Sequence, residues 1–499
     1  MKEPLVLVIL LTLVGLSSGE GDLRFRLQRR IPDCRGTLEH YYAGDEYDFY
    51  NRLRYGSNLF QFILLMDKAR GEEWVDIIAG GATLTPMGGP VNSVSAGWLK
   101  AHLGSGLVLA FPGRFSSISE LALYKPPNSR NRIEPSTSPW SCRGKPLTGA
   151  GIMLSVGTVD ISVLAALSPV DSLSGGYHRS SSEVQARNAF AERLAAARIA
   201  GQQWGVTAAA ASTNDAAEYS WLRCGGDWNV NLGTLNLAGE ASVGVDSSGT
   251  STAVWFSLSQ NLPVFRHMFM VLRNPEYYPS ERTSPPISRE CDIGLCYGLR
   301  WKTFPEMVVK AGSGTYFHED NSLLLASFET EYRFRWSMEA TAGIRTRTEE
   351  DEFSFRSWLG NSWQPRDRLN IRMKLQVTGW NNSTDDSSET GAGVEIKLRY
   401  KPESWLTLDF GGAACSTDGY NSRIYAGGSS FPGVFGSKVL YNRSFLLFTQ
   451  VSAAISDGFF LRGALARKTV EDSDVLGSGW EETEGDKRTE LGFQLDYTF

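Results

Sequence analysis

Residues 391–410 read GAGVEIKLRYKPESWLTLDF, and their order of apolar and polar residues decides the fold class. Val394, Ile396, Leu398 and Tyr400 alternate with Glu395, Lys397 and Arg399; after a short break, Leu406, Leu408 and Phe410 alternate with Thr407 and Asp409. Successive side chains of a strand point to opposite faces, so each segment is a strand with one apolar side and one polar side. The same period recurs upstream. Ile293, Leu295, Tyr297, Leu299 and Trp301 oppose Asp292, Gly294, Cys296, Gly298, Arg300 and Lys302. Phe328, Tyr332, Phe334 and Trp336 oppose Glu329, Glu331, Arg333 and Arg335; Ile371, Met373, Leu375 and Val377 oppose Arg372, Lys374 and Gln376.

Soluble sandwich strands run to about 5–6 residues, whereas these approach about 9–12, the length that crosses a bilayer at a tilt. Aromatic residues sit at many strand ends, including Tyr55, Trp98, Trp301, Trp336, Tyr400 and Trp405, as expected for girdles at headgroup level. The last segment alternates Leu491, Phe493, Leu495, Tyr497 and Phe499 with Gly492, Gln494, Asp496 and Thr498. Phe493, Leu495, Tyr497 and Phe499 look like the C-terminal signal that outer-membrane barrels present to the barrel-assembly machinery. The reading is an all-β chain forming a transmembrane antiparallel β-barrel in the outer membrane of a Gram-negative bacterium, with the lipid bilayer as its first partner.

The first residues fit an exported protein. Lys2 precedes an apolar run from Leu5 to Leu16, followed by Ser17, Ser18 and Gly19, so residues 1–19 read as a signal peptide. The apolar run is too short for a helix that crosses about 30 Å of hydrocarbon. A net charge of −6, with positive residues interleaved among acids, presents no basic face, and no nucleic acid partner is expected. Six scattered cysteines permit disulfides without requiring them.

Residues 20–499 therefore read as one barrel domain. Dividing by a strand of about 10 residues and a connection of similar size predicts roughly 20 strands, in a range of about 16–22. Three stretches break the rhythm: residues 112–140, residues 168–182 and residues 183–201. The first two read as long loops or a plug, and the last (EVQARNAFAERLAAARIAG) as a short helix near residues 183–199 with Phe190 and Leu194 on one stripe. In a barrel, such insertions plug or lid the lumen.

Several stretches resemble a family of outer-membrane barrels from Bacteroidetes and related bacteria known as helix-hairpin-helix domain proteins. They are GDLRFRLQRRIPDCRG (21–36), YDFYNRLRYGSNLFQFILLMDKARGEEW (47–74), LKAHLGSGLVLAFPGRFSS (99–117) and MVLRNPEYYPSERTSPPISRECDIGLCYGLRW (270–301). Relatives carry tandem helix-hairpin-helix repeats ahead of the barrel. Here the first strand follows within a few residues of the expected cleavage site, so the resemblance covers the barrel alone and any DNA-handling role is not carried over. Arg289-Glu290 also stands where the family pattern has Asn-Glu.

A catalytic constellation is not legible. His40, His102, His178, His267 and His318 are isolated in sequence, and His318-Glu319-Asp320 lacks a second histidine at zinc-helix spacing. Gly104-Ser105-Gly106 reads as a turn, Glu349–Glu352 as a solvated acidic loop, and Arg273–Pro279 as a proline-held loop. No enzyme activity, cofactor or metal is expected. The candidate functional residues are those of the lumen face: Arg300, Lys302, Glu329, Glu331, Arg333, Arg335, Arg372, Lys374, Glu395, Lys397 and Arg399. They point to a passage or receptor for an unidentified substrate. The competing readings are a non-conducting barrel that anchors an unidentified periplasmic or surface partner and, more weakly, a barrel hydrolase.

Overall fold

The computed structural model describes residues 19–110, 130–138, 146–172, 176–214, 220–276, 278, 283, 291–318, 321–429, 431–434 and 436–499. The expected signal peptide lies almost wholly outside them, as do Cys142, the Arg289-Glu290 pair and much of the 112–140 stretch. The wall consists of antiparallel strands in chain order: β1 (Glu20–Ile31), β2 (Tyr47–Gly56), β3 (Phe60–Lys68), β4 (Ile77–Leu84), β5 (Val91–Gly104), β6 (Thr148–Val156), β7 (Val159–Val170) and β8 (Phe190–Ala200). They continue with β9 (Trp204–Thr213), β10 (Ser220–Leu232), β11 (Leu235–Asp246), β12 (Gly249–Asn261), β13 (Phe265–Asn274), β14 (Cys291–Phe304), β15 (Met307–His318) and β16 (Asn321–Phe334). The circuit is completed by β17 (Met338–Glu349), β18 (Glu352–Arg366), β19 (Leu369–Asn382), β20 (Ser387–Glu403), β21 (Leu406–Thr417), β22 (Ser444–Ser456), β23 (Phe459–Val470) and β24 (Lys487–Thr498). Each strand pairs with its neighbour in sequence, and β24 pairs with β1 from Asp22↔Thr498 to Ile31↔Thr489. The sheet closes, so no edge faces lipid.

The wall thus has 24 strands, more than the roughly 20 expected from the sequence. Connections at one end are short turns such as Gly157-Thr158, Gly233-Thr234 and Asp457-Gly458, so an average loop as long as a strand undercounted the circuit. The second departure concerns residues 183–201. Only Ser181–Gln185 is helical, with Ser180 capping it through the Glu183 amide; Phe190–Ala200 is wall strand β8. Glu192, Leu194, Ala196, Arg198 and Ala200 bury toward the interior while Ala195, Ala197 and Ile199 face out. Alanine suits a helix by propensity, but the ladders to β7 and β9 override it here.

Met373, Leu375, Val377, Ile396, Phe410 and Leu447 are exposed on the outer face, an apolar belt that only lipid would cover. Trp204, Trp301, Trp336, Trp363, Tyr400 and Trp405 form an exposed aromatic girdle at the short-turn end. Trp98 is not part of it: its side chain packs with Tyr50, Leu65, Ile77 and Ala79. Short turns mark the periplasmic end, and the longer connections at the opposite end face outside the cell.

At β5 the wall bends inward. Residues 91–98 pair with β6, but Leu99–Gly104 leave the wall and pair with Arg130–Pro135 and Leu109–Ala110. Gly97 makes the bend at φ +103°, and a Cβ there would lie 2.2 Å from the Gly80 carbonyl oxygen. Gly97→Ala should therefore destabilise the barrel by about 1–3 kcal/mol and reduce the heat-modifiable fraction on a denaturing gel. Gly463→Ala, where a Cβ meets nothing within 4 Å, should refold like the parent.

Candidate functional site

Twenty-four strands spaced about 4.8 Å and tilted about 40° enclose a backbone cylinder roughly 45–50 Å across. Wall side chains alone cannot fill such a lumen. Among the described residues, two inward-folded segments occupy part of it.

The first is the inner sheet that begins at Leu99. Leu99, Ala101, Leu103, Val108, Leu109 and Ile133 bury against an apolar patch of the inner wall formed by Leu164, Leu194, Ala196, Ala209, Ala211 and Trp221. Leu107 enters a second apolar cluster with Trp255, Met268 and Met270. Each buried leucine contributes about 1.5–3 kcal/mol to docking. Polar contacts then fix the register. The Leu107 amide donates to Glu240 Oε2 (2.8 Å), Arg223 Nη1 donates to the Val108 carbonyl (3.0 Å), and the Tyr278 hydroxyl donates to the Leu107 carbonyl (2.9 Å). Ser242 Oγ lies 2.6 Å from the same hydroxyl.

Beneath this contact, Arg198 forms a buried ion pair with Asp227, with Nη2 to Oδ1 at 2.9 Å, and also donates to Thr207 Oγ1 (2.7 Å). Gly104 sits directly over this group at φ +86°, and a Cβ on it would lie 3.1 Å from both Arg198 Nη1 and Glu240 Oε1. The Gly104-Ser105-Gly106 turn is thus the tip of the inner segment, seated on charges supplied by β8, β10 and β11.

The second inward segment, residues 418–443, joins β21 to β22. Its hairpin pairs Ile424–Gly427 with Ser437–Leu440. Ile424, Ala426 and Leu440 pack on Ala413, Leu446, Phe448 and Ala466 of the wall. Gln376 Nε2 donates to the Tyr425 carbonyl (2.9 Å), and Thr378 Oγ1 to the Ser422 carbonyl. Phe431 lies over Gly492, and Arg24, near the periplasmic end of β1, donates to the Pro432 carbonyl (2.8 Å). The loop therefore reaches deep into the barrel.

Apart from Arg335, the candidate lumen residues occupy the strand faces opposite the exposed apolar belt. Glu329 and Glu331 converge on Lys310, at 3.1 Å for Glu329. Arg372 faces Lys397 across β19–β20, Lys374 faces Glu395 in the same ladder, and Arg399 pairs with Asp409 at 2.7 Å. Arg300 lies opposite both Arg266 and Lys310. Arg333 reaches Glu339 at 3.5 Å, whereas Lys302 lies near the short-turn end of β14 and Arg335 in the turn after β16. These residues line one arc of the wall, from β14 to β20, without converging on one point.

A group missed from the sequence forms at the outer rim. His178, isolated along the chain, has Nδ1 2.6 Å from Asp76 and Nε2 3.1 Å from Asp171, and its amide donates to Glu72. Glu72, Asp76 and His178 come close enough together to hold a metal ion. Two loops about a hundred residues apart in sequence meet there, so no spacing rule could find it. Alongside, Glu481 receives Arg30 (2.7 Å) and Arg179 (2.6 Å), and Tyr41 stacks on Trp480 at 4.0 Å. Burial works against the charge on His178, but its hydrogen bonds to Asp171 and Asp76 outweigh it and raise the pKa to about 9.

No protein-family model matches the chain, and no curated protein matches it. Among solved structures, it is similar to the siderophore receptor PirA from Pseudomonas aeruginosa (8% identity, 97% of this chain and 80% of that one, TM-score 0.45). It is also similar to the iron transporter FrpB from Neisseria meningitidis (8% identity, 98% and 82%, TM-score 0.44). A third is an anion-selective porin from Comamonas acidovorans (12% identity, 62% and 100%, TM-score 0.34). The closed wall, apolar belt and girdle place the chain in the outer membrane of a Gram-negative bacterium.

The rim carries a pH dependence of definite sign. A histidine whose folded pKa is raised stabilises fully below its unfolded pKa of about 6.5, and that contribution is lost as pH rises through about 9. Hydrogen exchange in residues 176–189 should therefore speed up between about pH 6.5 and pH 10 beyond the intrinsic base-catalysed rate, and His178→Gln should remove this excess.

Proposed function

We propose that this barrel is a gated passage or receptor in the outer membrane, with residues 99–110 as the movable element. The observation that carries the reading is how that segment is held. It docks inside a lumen too wide for wall side chains to fill, by an apolar face and a few directional bonds from Arg223, Glu240 and Tyr278. A segment held by a handful of side-chain bonds can leave without unzipping the wall, because the inner sheet shares only β5 with the barrel. The charged lumen face of β14–β20, elsewhere in the circuit, suits polar solutes. Kinship with the helix-hairpin-helix-type barrels is part of the same proposal, carried by the four stretches quoted above.

Single-channel recording of refolded protein in a planar bilayer tests this. Arg223→Leu with Tyr278→Phe removes both described side-chain donors to the inner segment. At about 1–3 kcal/mol per bond, open events should become on the order of tens-fold or more frequent. If parent and variant are both silent while migrating as heat-modifiable barrels, the passage reading fails and a structural barrel is left. In a conducting protein, neutralising Arg372, Lys374 and Arg399 together should lower anion preference in reversal-potential measurements. Unchanged selectivity would mean that ions take another path.

A further inference from the structure

Between the 424–440 hairpin and wall strands β22–β24 lies a cavity of about 680 Å³, within the size range of small-molecule sites. It opens near the outer rim of the lumen. Its charged and aromatic lining consists of Tyr420, Lys438, Tyr441, Lys468, Arg488 and Glu490. Three cations thus face one carboxylate, and that carboxylate is already engaged by Lys438. Lys468 and Arg488 stand directly opposite one another across β23–β24, where like charges destabilise a ladder. Lys468 donates to the Val439 carbonyl (2.8 Å) and lies 4.5 Å from the centre of the Tyr441 ring, neither of which neutralises it. Arg488 has no hydrogen bond or ion pair among the described residues. The neighbouring Arg30 and Arg70 are matched by Glu481 and Asp48, so they do not offset the excess.

We propose that this cavity binds a small soluble organic anion, a phosphate- or carboxylate-bearing molecule, on its way into the barrel. The proposal rests on the passage-or-receptor reading and names the substrate class. An unpaired guanidinium presents a planar fork matched to two anionic oxygens, with Lys468 as a point charge beside it. Tyr420, exposed at the mouth, offers a ring to the organic part. The cavity lies on the lumen side of the wall, where bilayer headgroups do not reach, so the anion comes from solution.

Titration calorimetry of the refolded full chain in detergent tests the site, using phenyl phosphate, inorganic phosphate and phenol as probes. Phenyl phosphate should bind saturably, more tightly than inorganic phosphate, and less tightly as salt rises. Arg488→Gln and Lys468→Met should each weaken it at least about ten-fold, the scale of one lost charge-assisted contact. Arg488→Lys should recover part of the loss, and Arg345→Gln, outside the cavity, should bind like the parent. The proposal is overturned if phenyl phosphate does not saturate, if phenol binds equally well, or if heat-modifiable Arg488→Gln binds like the parent. The same preparation in the bilayer separates the two readings: conductance without binding removes the site and leaves the passage, and binding without conductance leaves the site on a receptor.

Discussion

Everything in this molecule depends on one constraint: within lipid, every backbone amide and carbonyl needs a partner from the chain itself. The wall meets it only because β24 returns to β1, so that the ladder has no ends. Closure also commits the protein to a width. A circuit of 24 strands cannot be filled by its own side chains, so other parts of the chain must fold inward or the barrel stands open.

The inward segments show how a polar lumen can hold chain. The wall presents leucine, alanine and tryptophan where residues 99–110 dock, with Arg198, Arg223, Asp227 and Glu240 set beside them. The docking is registered by Arg223 of β10, Glu240 of β11 and Tyr278, beside Gly104, whose positive φ favours glycine and where a Cβ would press on Arg198 and Glu240. The 418–443 segment uses the same combination, an apolar hairpin face and wall side chains, the Gln376 amide and the Thr378 hydroxyl, that donate to its carbonyls. The lumen is thus divided by chemistry as well as by shape. Apolar wall and matched polar groups hold the protein's own segments, while unmatched cations such as Arg488 are left facing open cavity.

How far the sequence could be read follows the range of the interactions involved. Alternation along residues 391–410 is local, so the strands there were legible without any partner. The Ala-rich residues 190–200 were not, because alanine's small side chain suits either period, and only the ladders to β7 and β9 choose between helix and strand. Strand number was misjudged because turn length at the short end depends on hairpin geometry that residue spacing averages away. His178 was invisible for a stronger reason: Asp171 shares its loop, but Asp76 reaches it from a separate loop about a hundred residues away in sequence.

By itself, then, the sequence determined the all-β class and the membrane-facing period of its strands. Both follow from the two-residue repeat of an extended chain. Only the tertiary structure decided the closure at 24 strands, the inward turn at Gly97, the two docked segments, the rim cluster at His178 and the cation-lined cavity at Arg488. Each of these is a meeting of residues distant in sequence, brought together by the circuit of the wall, which no local pattern encodes.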